Sequence, residues 1–386
     1  MELVSFFSPL LLLYSMDFLD LSGILLTAGI ALMFFLYGND IVFDDTAIVL
    51  VIFSGFYFLS ILLYEGASVD RIIKYAIAPW GSYVLAFNLL KINEELSVQR
   101  FVELLFFGFF IHGALNLFES IRVLGLDFNN NFRLAYDFWQ RRPISVTTAS
   151  LYYSPMVLMA FSWLFCQCGM EKKLIGGVFI AIGVLATLLY QNRTLILAIA
   201  IVVCAGIWLF FSDHFISEYR KNSALKIGVI AILVVLILWF GNIGGLRSFV
   251  ESTSFYGRIS SSNGKGQDRT DIWLSFLFWE GWKYPLGGNK AVLYKNKPYV
   301  HNAWLDVFRK AGIIPFITYM IYTVSTVQTI RLLLRSRQTY ESYRMIALSM
   351  IGLAAMFMVE PIFDANPYIF YLPFLVSGGI KGRMYR

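Results

Sequence analysis

Apolar runs alternate with short polar connections along almost the whole chain. A helix needs about 20 residues to cross the hydrocarbon core of a bilayer, and twelve of the runs reach or approach that length. They cover residues 3–16, 21–37, 47–63, 72–90, 101–118, 146–165, 174–190, 195–211, 227–240, 313–334, 345–359 and 368–380. The pattern predicts an all-α polytopic membrane protein with about twelve transmembrane helices, a count good to about two because the first and last runs are short.

The composition indicates the same class of protein. Hydrophobic residues make up 58% of the 386 residues, charged residues only 15%, and the mean hydropathy is +0.66. A water-soluble domain needs more polar surface than these values allow. We therefore interpret residues 1–386 as a single integral membrane domain. The first run lacks a basic leader and a small-residue cleavage site, so we expect it to remain in the mature protein.

The basic residues indicate how these helices are oriented. Short cytoplasmic loops of membrane proteins are rich in Lys and Arg. With a cytoplasmic N-terminus, the inner connections and the C-terminal tail contain Lys91, Arg100, Lys172, Lys173, Arg220, Lys221, Lys226, Arg335, Arg337, Arg344, Lys381, Arg383 and Arg386. The opposite short turns hold only Arg71, Lys74 and Arg193. We therefore expect both termini in the cytoplasm, and the net charge of +6 calls for no nucleic acid as a partner.

Two longer connections, residues 119–145 and 241–312, then lie outside the cytoplasm. Between residues 241 and 300, eight Lys or Arg stand against four Asp or Glu. Such a surplus favours an anionic ligand. The alternative is that long translocated loops escape the charge rule and are basic by chance.

The larger loop is expected to contain short helices. Residues 260–268 read as a flexible turn, after which Thr270 or Asp271 caps a helix over residues 272–279. A further amphipathic helix is expected to begin near residue 301. Its apolar face contains four residues at helical spacing, namely His301, Trp304, Leu305 and Phe308.

Two arginines are candidates for binding a phosphate. Arg193 lies at the outer mouth between two spans, where its guanidinium either snorkels to the interface or meets an anion. Arg269 comes just before the expected helix over residues 272–279. Its side chain and the free N–H groups of that helix are therefore expected to converge on one phosphate.

Of the three histidines, only His301 lies beside the basic loop. An imidazole with an ordinary pKa near 6.5 is suited to accept a proton from an attacking hydroxyl. The alternative for His301 is a structural histidine hydrogen-bonded at the interface. His112, inside a span, is most simply a helix-packing residue.

Other chemistry finds little support in the sequence. Gly264-Lys265-Gly266 lacks the spacing of a Walker loop, and neither H-E-x-x-H nor a Cys/His cluster occurs. We therefore expect no metal and no cofactor. The three cysteines lie in or beside apolar runs, which predicts no disulfide framework.

Three segments in this order resemble the bacterial O-antigen ligase and O-antigen polymerase superfamily. They are residues 190–197 (YQNRTLIL), 268–273 (DRTDIW) and 300–305 (VHNAWL), the last followed by Gly312. The motifs cover residues 190–316, and the N-terminal half agrees in hydropathy alone. The resemblance implies a metal-independent inverting glycosyltransferase of the C type that has a large periplasmic loop. Its donor would be an undecaprenyl-pyrophosphate-linked oligosaccharide at the outer face of the bacterial inner membrane.

The resemblance also assigns roles to residues of this chain. Arg193 and Arg269 would hold the pyrophosphate, His301 would activate the acceptor hydroxyl, and Asn302 would orient the imidazole. Four further residues are expected to contact substrate, two from the composition of the smaller loop and two from the motifs: Arg141, Arg142, Asp271 and Trp304.

The acceptor separates two members of the superfamily. A polymerase extends the glycan on its lipid carrier, with membrane lipid and a chain-length regulator protein as further partners, and this is the function we expect. A ligase would transfer the glycan to lipid A core, and nothing in the sequence identifies the acceptor. From another class, a flippase or permease for lipid-linked sugars would also have about twelve spans, but should place ionisable residues near the bilayer midplane.

Overall fold

The computed structural model describes residues 2–93, 96–128, 134–166, 169–212, 237, 240–253, 256–257, 265–297, 299–335 and 341–385. The described chain is mostly α-helical. We number its longer helices α1 (Glu2–Ser15), α2 (Ser22–Tyr37), α3 (Asp45–Glu65), α4 (Ala78–Ile92), α5 (Val98–Leu124), α6 (Val146–Phe165), α7 (Met170–Tyr190), α8 (Arg193–Ser212), α9 (Leu246–Ser252), α10 (Lys265–Ser275), α11 (Ala303–Ala311), α12 (Ile313–Arg335), α13 (Glu341–Phe357) and α14 (Pro367–Met384).

Short elements extend or connect these helices. A turn at Val69–Arg71 and a π-helix at Ile72–Ile77 lead into α4, and a second π-helix at Phe276–Glu280 continues α10. Strands β1 (Leu134–Tyr136) and β2 (Pro143–Ser145) form an antiparallel hairpin in which Ala135 pairs with Ile144. The remaining pieces are 3-10 turns at Phe18–Asp20, Ile243–Gly245, Gly281–Lys283 and Tyr294–Asn296, and a helical turn at Ile362–Ala365.

Five helices among the described residues are long and apolar enough to cross a bilayer. They are Asp45–Glu65, Val98–Leu124, Met170–Tyr190, Arg193–Ser212 and Ile313–Leu334. Their outward faces stay apolar, as at Leu63, which is 70% exposed, and a helix that is hydrophobic all round needs lipid as its surroundings. The chain is therefore an all-α membrane protein. The count of about twelve spans stays a prediction, and the expected span at 227–240 lies outside the described residues except for 237 and 240.

Polar residues in the connections fix where several helices begin. Asp44 accepts a hydrogen bond from the N–H of Ala47 (2.9 Å), Ser97 from that of Arg100 (3.2 Å) and Ser145 from that of Thr148 (3.0 Å). The first N–H groups of a helix have no partner within the helix, and no water is available in a bilayer core to replace one. The polar side chain next to each apolar run therefore sets the helix start.

Side-chain contacts gather the ends of the helices into two groups. Glu65, Leu124, Tyr190 and Ile313 lie at one end of the bundle, which we call the loop end because it carries the segments 125–145 and 241–312. At the opposite end, Arg383 donates to the carbonyl of Leu96. α1 runs parallel to α5, with Ser15 against Gly108. α1 therefore begins at the same end at which α14 finishes.

The tightest helix pair of the bundle joins α4 to α14. A Cβ added at Gly378 or Gly382 would collide with the backbone carbonyls of Tyr83 and Phe87. Glycines four residues apart therefore let the two backbones approach closely, which is how helices pack in lipid, where burial alone does not drive association. This contact fixes the start of α14 at the loop end.

The structure corrects the sequence prediction for the helix near residue 272. α10 already covers Lys265–Ser275, so neither Thr270 nor Asp271 caps its start, and Arg269 lies inside it. Lys, Gln and Arg are good helix formers, which allows the helix to include residues that composition alone assigned to a turn. Of that expected turn, residues 260–264 lie outside the described residues.

The prediction for the helix near residue 301 is wrong in one respect. α11 begins at Ala303 with Asn302 as its N-cap, so His301 precedes the helix and does not share a face with Trp304, Leu305 and Phe308. In the smaller loop, α5 continues to Leu124, so the expected connection 119–145 begins with the last turn of a helix.

Candidate functional site

The connection between α13 and α14 lies at the centre of the loop end. The carbonyl of Met358 accepts a hydrogen bond from Asn302 Nδ2 (3.4 Å). Two residues on, the Glu360 carboxylate accepts a hydrogen bond from Thr194 Oγ1. The turn Ile362–Ala365 contacts both α11 and α6. Residues 358–366, which we call the central segment, thus contact α6, α8 and α11 at this end.

The central segment brings two distant motifs together. Met358 and Glu360 are two residues apart, which an extended chain covers in about 7 Å. The N-cap of α11 and the first turn of α8 are therefore bound to nearly the same point. His301 precedes that N-cap and Arg193 is the first residue of α8, so both lie next to the central segment at the loop end.

Arg193 owes its position to the turn before α8. Gln191 adopts a left-handed conformation (φ +53°) that ends α7 and reverses the chain. Asn192 then accepts hydrogen bonds from the N–H groups of Thr194 (3.1 Å) and Leu195 (3.2 Å), which starts α8. The Asn-Arg-Thr sequence therefore combines a helix cap, a half-buried guanidinium and a hydroxyl bound to Glu360.

His301 is a half-buried imidazole in an unusual backbone conformation (φ +58°). Its Nδ1 atom is buried and has no hydrogen-bond partner among the residues that the structure describes. Burial, together with the positive charges of Arg269 and Lys297, lowers the pKa of His301 from 6.5 to about 4. At neutral pH the imidazole is therefore uncharged, which is the form that accepts a proton.

Asp306 holds the backbone on both sides of His301. Its carboxylate accepts hydrogen bonds from the N–H of Val300 (3.0 Å) and the N–H of Asn302 (3.3 Å). These two bonds keep the chain in the left-handed turn that carries the histidine. The sequence analysis missed Asp306, although an acidic residue in the first turn after an Asn cap resembles a capping box.

α10 brings Arg269 to the histidine. Ile272 and Phe276 pack against Val300 and Phe308, and Trp273 Nε1 donates to the carbonyl of Val300 (2.8 Å). Arg269 lies one helical turn before Trp273, and its charge acts on the His301 imidazole. The N–H groups expected to join it around a phosphate belong to the interior of α10, so that part of the prediction is wrong.

The roles expected for Asn302 and Trp304 differ from their contacts. The side-chain oxygen of Asn302 caps α11, accepting from the N–H groups of Trp304 (3.2 Å) and Leu305 (3.1 Å). Its amide nitrogen donates to the central segment, so the described side-chain hydrogen bonds of Asn302 all go to backbone groups, and its expected role toward the imidazole stays a prediction. Trp304 donates to Thr323 (2.8 Å) and stacks on Tyr319, which places it in the packing against α12.

Asp271 lies on the other side of α10 from its packed face. It lines an open groove of about 580 Å³ together with Leu274, Ser275, Phe278, Trp279 and Tyr294. Asp271, Leu274, Ser275 and Phe278 follow the i, i+3, i+4, i+7 spacing of one helix face. The groove is mainly aromatic and faces away from Val300 and the histidine.

Arg141 and Arg142 belong to a second group, on the turn of the β1–β2 hairpin. Three residues of α5 spaced by four, His112, Asn116 and Ser120, hold this hairpin. Asn116 accepts from the N–H of Phe138 (2.8 Å), Ser120 accepts from the N–H of Tyr136 (2.9 Å), and His112 Nε2 lies 3.4 Å from the Asp137 carboxylate. His112 therefore helps to anchor the hairpin, in addition to its expected role in helix packing.

The hairpin arginines lie over acidic residues. Burial and the neighbouring Asp17 raise the pKa of Asp20, and the charge of Arg142 opposes that rise. Burial also raises the pKa of Asp137, but the His112 imidazole and the N–H of Gln140 outweigh it and leave the pKa below its ordinary value. Arg141 lies within electrostatic range of Glu119. Both exposed arginines therefore have acidic neighbours here.

The structure thus divides the candidate residues into groups. His301 and Arg269 are neighbours, and Arg193 is joined to the histidine loop only through the central segment, which binds the adjacent residues Thr194 and Asn302. Arg141 and Arg142 lie with Asp20 and Glu119, and Asp271 lies on the outward face of α10. Among the described residues, no three His, Cys, Asp or Glu side chains gather into a metal site.

Comparison with known proteins adds no family to this geometry. Neither the models of protein families nor the curated proteins contain a match to the chain.

Proposed function

We propose that this chain is an O-antigen polymerase, an inverting glycosyltransferase that joins undecaprenyl-pyrophosphate-linked repeat units at the periplasmic face of the bacterial inner membrane. One observation carries the proposal. An uncharged histidine, with a buried ring nitrogen that has no hydrogen-bond partner among the described residues, lies beside Arg269, and Thr194, the residue after Arg193, binds Glu360 of the central segment. A base next to one guanidinium group, with a second guanidinium group at the same end of the membrane bundle, suits a substrate with a hydroxyl and a diphosphate.

In the proposed reaction His301 takes the proton of the acceptor hydroxyl. The hydroxyl oxygen attacks the anomeric carbon of the donor sugar from the face opposite the leaving group, so the configuration inverts. The bond from that carbon to the pyrophosphate oxygen breaks, and the oxygen keeps the electron pair. The donor brings its own activated leaving group, so the step needs no nucleotide sugar.

Arg193 and Arg269 would stabilise the charge that develops on the leaving pyrophosphate. Removing one preorganised donor from a developing oxyanion typically costs about 3 to 4 kcal/mol. General-base assistance by an imidazole contributes roughly 100- to 10,000-fold in rate. Glu360 would act indirectly, by fixing the first turn of α8 through Thr194.

The periplasmic assignment rests on charge. The end opposite the loop end includes Lys172, Lys381 and Arg383, in agreement with the expected cytoplasmic bias of short basic loops. The loop end would then face the periplasm, where lipid-linked glycans are joined. The proposed reaction depends on this orientation. ATP and nucleotide sugars are absent from the periplasm, so the donor has to carry its own leaving group.

A reconstituted reaction tests the proposal and separates the polymerase from the ligase. Purified protein is incubated with lipid-linked repeat units, with and without lipid A core. A ladder of products on the carrier lipid is the expected result. Product that forms only when core is present would assign the ligase instead, and no transfer to either acceptor would remove the glycosyltransferase proposal.

A transporter remains the second candidate because of one observation. Asp17, His112 and Asp137 are buried, and Tyr152 donates to Asp17 (3.0 Å). His112 lies fourteen residues, or about 21 Å, along α5 from Val98, a depth at which ionisable groups often serve transport. Movement of a labelled lipid-linked sugar across protein-containing vesicles, without glycan growth, would favour this function.

A further inference from the structure

The helix that carries Arg269 has two unlike faces. Ile272 and Phe276 pack against the histidine loop and α11. The opposite face starts with Asp271 and after it carries uncovered apolar side chains that continue along the π-helix Phe276–Glu280: Phe278 is 64% exposed and Trp279 is 71% exposed. Leu274, Trp282 and Leu286 are exposed as well. We call these five residues the aromatic face.

The aromatic face continues the lipid-facing surface of the bundle. Ser60 of α3 donates to the carbonyl of Leu286 (2.9 Å), and the N–H of Ile313, the first residue of α12, donates to the carbonyl of Pro285 (2.8 Å). Leu286 therefore lies where two spanning helices reach the loop end. The neighbouring Leu63 on α3 and Ile314 on α12 are themselves exposed apolar residues.

Close backbone contacts hold this junction. The N–H of Gly288 donates to the carbonyl of Lys310 (2.9 Å). Gly312 ends α11 with φ +94°, and a Cβ at that position would collide with Pro285. The segment that follows the aromatic face is therefore fixed to the ends of α11 and α12, and its height along the bundle axis is fixed with it.

Exposed lysines border the aromatic face. Lys283, Lys290, Lys295 and Lys297 are all exposed, although Lys283 pairs with Glu280 (2.7 Å) and the Lys297 charge also acts on His301, and the ammonium group of Lys290 lies 4.6 Å from the centre of the Tyr64 ring. Trp and Tyr beside Lys are typical of the boundary between lipid tails and headgroups. An amphipathic element with an apolar aromatic side and Lys at its margin binds in the plane of that boundary.

We propose that the aromatic face inserts into the lipid leaflet at the loop end, with the bordering lysines on the phosphates of anionic lipids. The inserted element sets the depth of the packed face of α10. Arg269 and His301 are thereby held at the level of lipid phosphates, where the diphosphate of a lipid-linked donor lies. This last consequence rests on the proposed function, whereas the insertion itself does not.

Depth measured by spin labels tests the insertion. In a full-length variant with Cys166, Cys168 and Cys204 replaced by Ser, a nitroxide is attached to Phe278→Cys and the protein is reconstituted into vesicles of phosphatidylethanolamine and phosphatidylglycerol. The matched control is Thr270→Cys, an exposed polar position on the same helix. The nitroxide at residue 278 is expected to collide more often with oxygen than with a water-soluble nickel chelate. The nitroxide at residue 270 is expected to collide less often with oxygen than with the chelate.

Three results would overturn the proposal. One is a label at residue 278 that is as accessible to nickel as the label at residue 270. Another is spin–spin coupling at residue 278 between protein copies, which would make the face a contact between chains. The third is protection of residue 278 by soluble glycan instead of lipid. Trp282→Cys provides a second position if the first variant does not fold.

A lipid comparison separates this proposal from the proposed function. Replacing phosphatidylglycerol by phosphatidylcholine is expected to make the label at residue 278 shallower, because the lysines lose their anionic partners. An unchanged depth would contradict the role of the lysines. The measurement contains no glycan donor, so a chain that inserts but does not polymerise supports the insertion and contradicts the polymerase.

Discussion

At the residue scale, His301 depends on its neighbours for its protonation state. The imidazole is half-buried and lies beside Arg269 and Lys297, so the charged form is disfavoured. The same contacts that keep it neutral leave its Nδ1 atom without a described partner. In the proposed function, the hydroxyl of the acceptor sugar would donate a hydrogen bond to this atom. The structure adds the neutral protonation state to the proton-acceptor role that the sequence analysis expected for His301.

Removing the charge of Arg269 is expected to shift the pH dependence. A base acts while neutral, so kcat/KM falls as the pH drops through the pKa of His301. That pKa is about 4 in the native chain, and Arg269→Gln should raise it toward 6.5 because one positive neighbour is lost. The acid limb of the pH profile then moves to higher pH.

The profile is measured as kcat/KM from about pH 4 to pH 8, the range around the ordinary pKa of histidine. Arg247→Gln is the matched control, because Arg247 lies in the same loop and pairs with Glu251 (2.8 Å). Arg247→Gln should leave the acid limb of the profile at its native pH. An acid limb at the native pH or at lower pH in Arg269→Gln would show that His301 is not the titrating base.

Arg193 and Arg269 should contribute to the affinity for the lipid diphosphate, whereas Arg247 should not. Arg193→Gln and Arg269→Gln are each expected to weaken binding of undecaprenyl pyrophosphate by about 10- to 100-fold, the value of one charged hydrogen bond of about 1.5–3 kcal/mol. Binding is measured in detergent by quenching of the protein's tryptophan fluorescence. Arg247→Gln should bind the lipid with native affinity. Equal affinity in all three variants would contradict a shared diphosphate site.

At the element scale, the hairpin that carries Arg141 and Arg142 depends on a polar stripe of α5. Asn116 and Ser120 accept the N–H groups of Phe138 and Tyr136, and His112 lies against Asp137. Side chains four residues apart lie on one face of a helix, so a single helix supplies all three contacts. The stripe adds polar contacts to a hairpin whose Ala135 is also buried in the hydrophobic core.

Replacing Asn116 by Leu should release this hairpin. The buried N–H of Phe138 would lose its acceptor, at a cost of about 1–3 kcal/mol. Trypsin should then cut faster after Arg141, since the bond after Arg142 precedes Pro143 and resists trypsin, and the cleavage is followed on a gel for protein in detergent. Ser162→Ala, on α6 and away from the hairpin, should cut at the native rate. Equal rates for Asn116→Leu and native protein would show that the stripe does not hold the hairpin.

The sequence predicted the helices better than it predicted their contacts. Apolar runs mark most spans, because lipid requires each span to satisfy its own backbone. The start of α10 was predicted too late, because the helix propensity of its first residues outweighs their turn-like composition. His301 was placed inside α11, whereas the Asn302 cap starts that helix after it. The central segment and Asp306 were missed. Thr194 and Glu360 are 166 residues apart, a pairing that periodicity does not contain.

At the scale of the whole molecule, the candidate residues occupy one end of the bundle. Arg193, Arg269 and His301 come from α8, α10 and the loop before α11, and the central segment connects the first to the last. Of the basic residues in the described short connections and the C-terminal helix, Lys172, Lys381 and Arg383 lie at the other end. The proposed function needs these two ends to face opposite sides of the membrane.

Impermeant thiol labelling tests that sidedness. In a background without the native cysteines, Lys290→Cys at the loop end should react in cells whose outer membrane has been opened. Glu171→Cys, at the start of α7, should react only after the inner membrane is permeabilised. The opposite pattern would place the loop end in the cytoplasm, and labelling of both from one side would contradict the separation of the two ends.

The central claim is that an imidazole and two guanidinium groups act together on one lipid diphosphate. Its most direct test is the rate of glycan transfer on the carrier lipid by four purified variants: His301→Ala, Arg269→Ala, Arg193→Ala and the control Arg247→Ala. The first three should each lose at least about 100-fold in rate, while folded yield and the control rate stay native. Near-native transfer by the His301 and Arg269 variants would contradict the account.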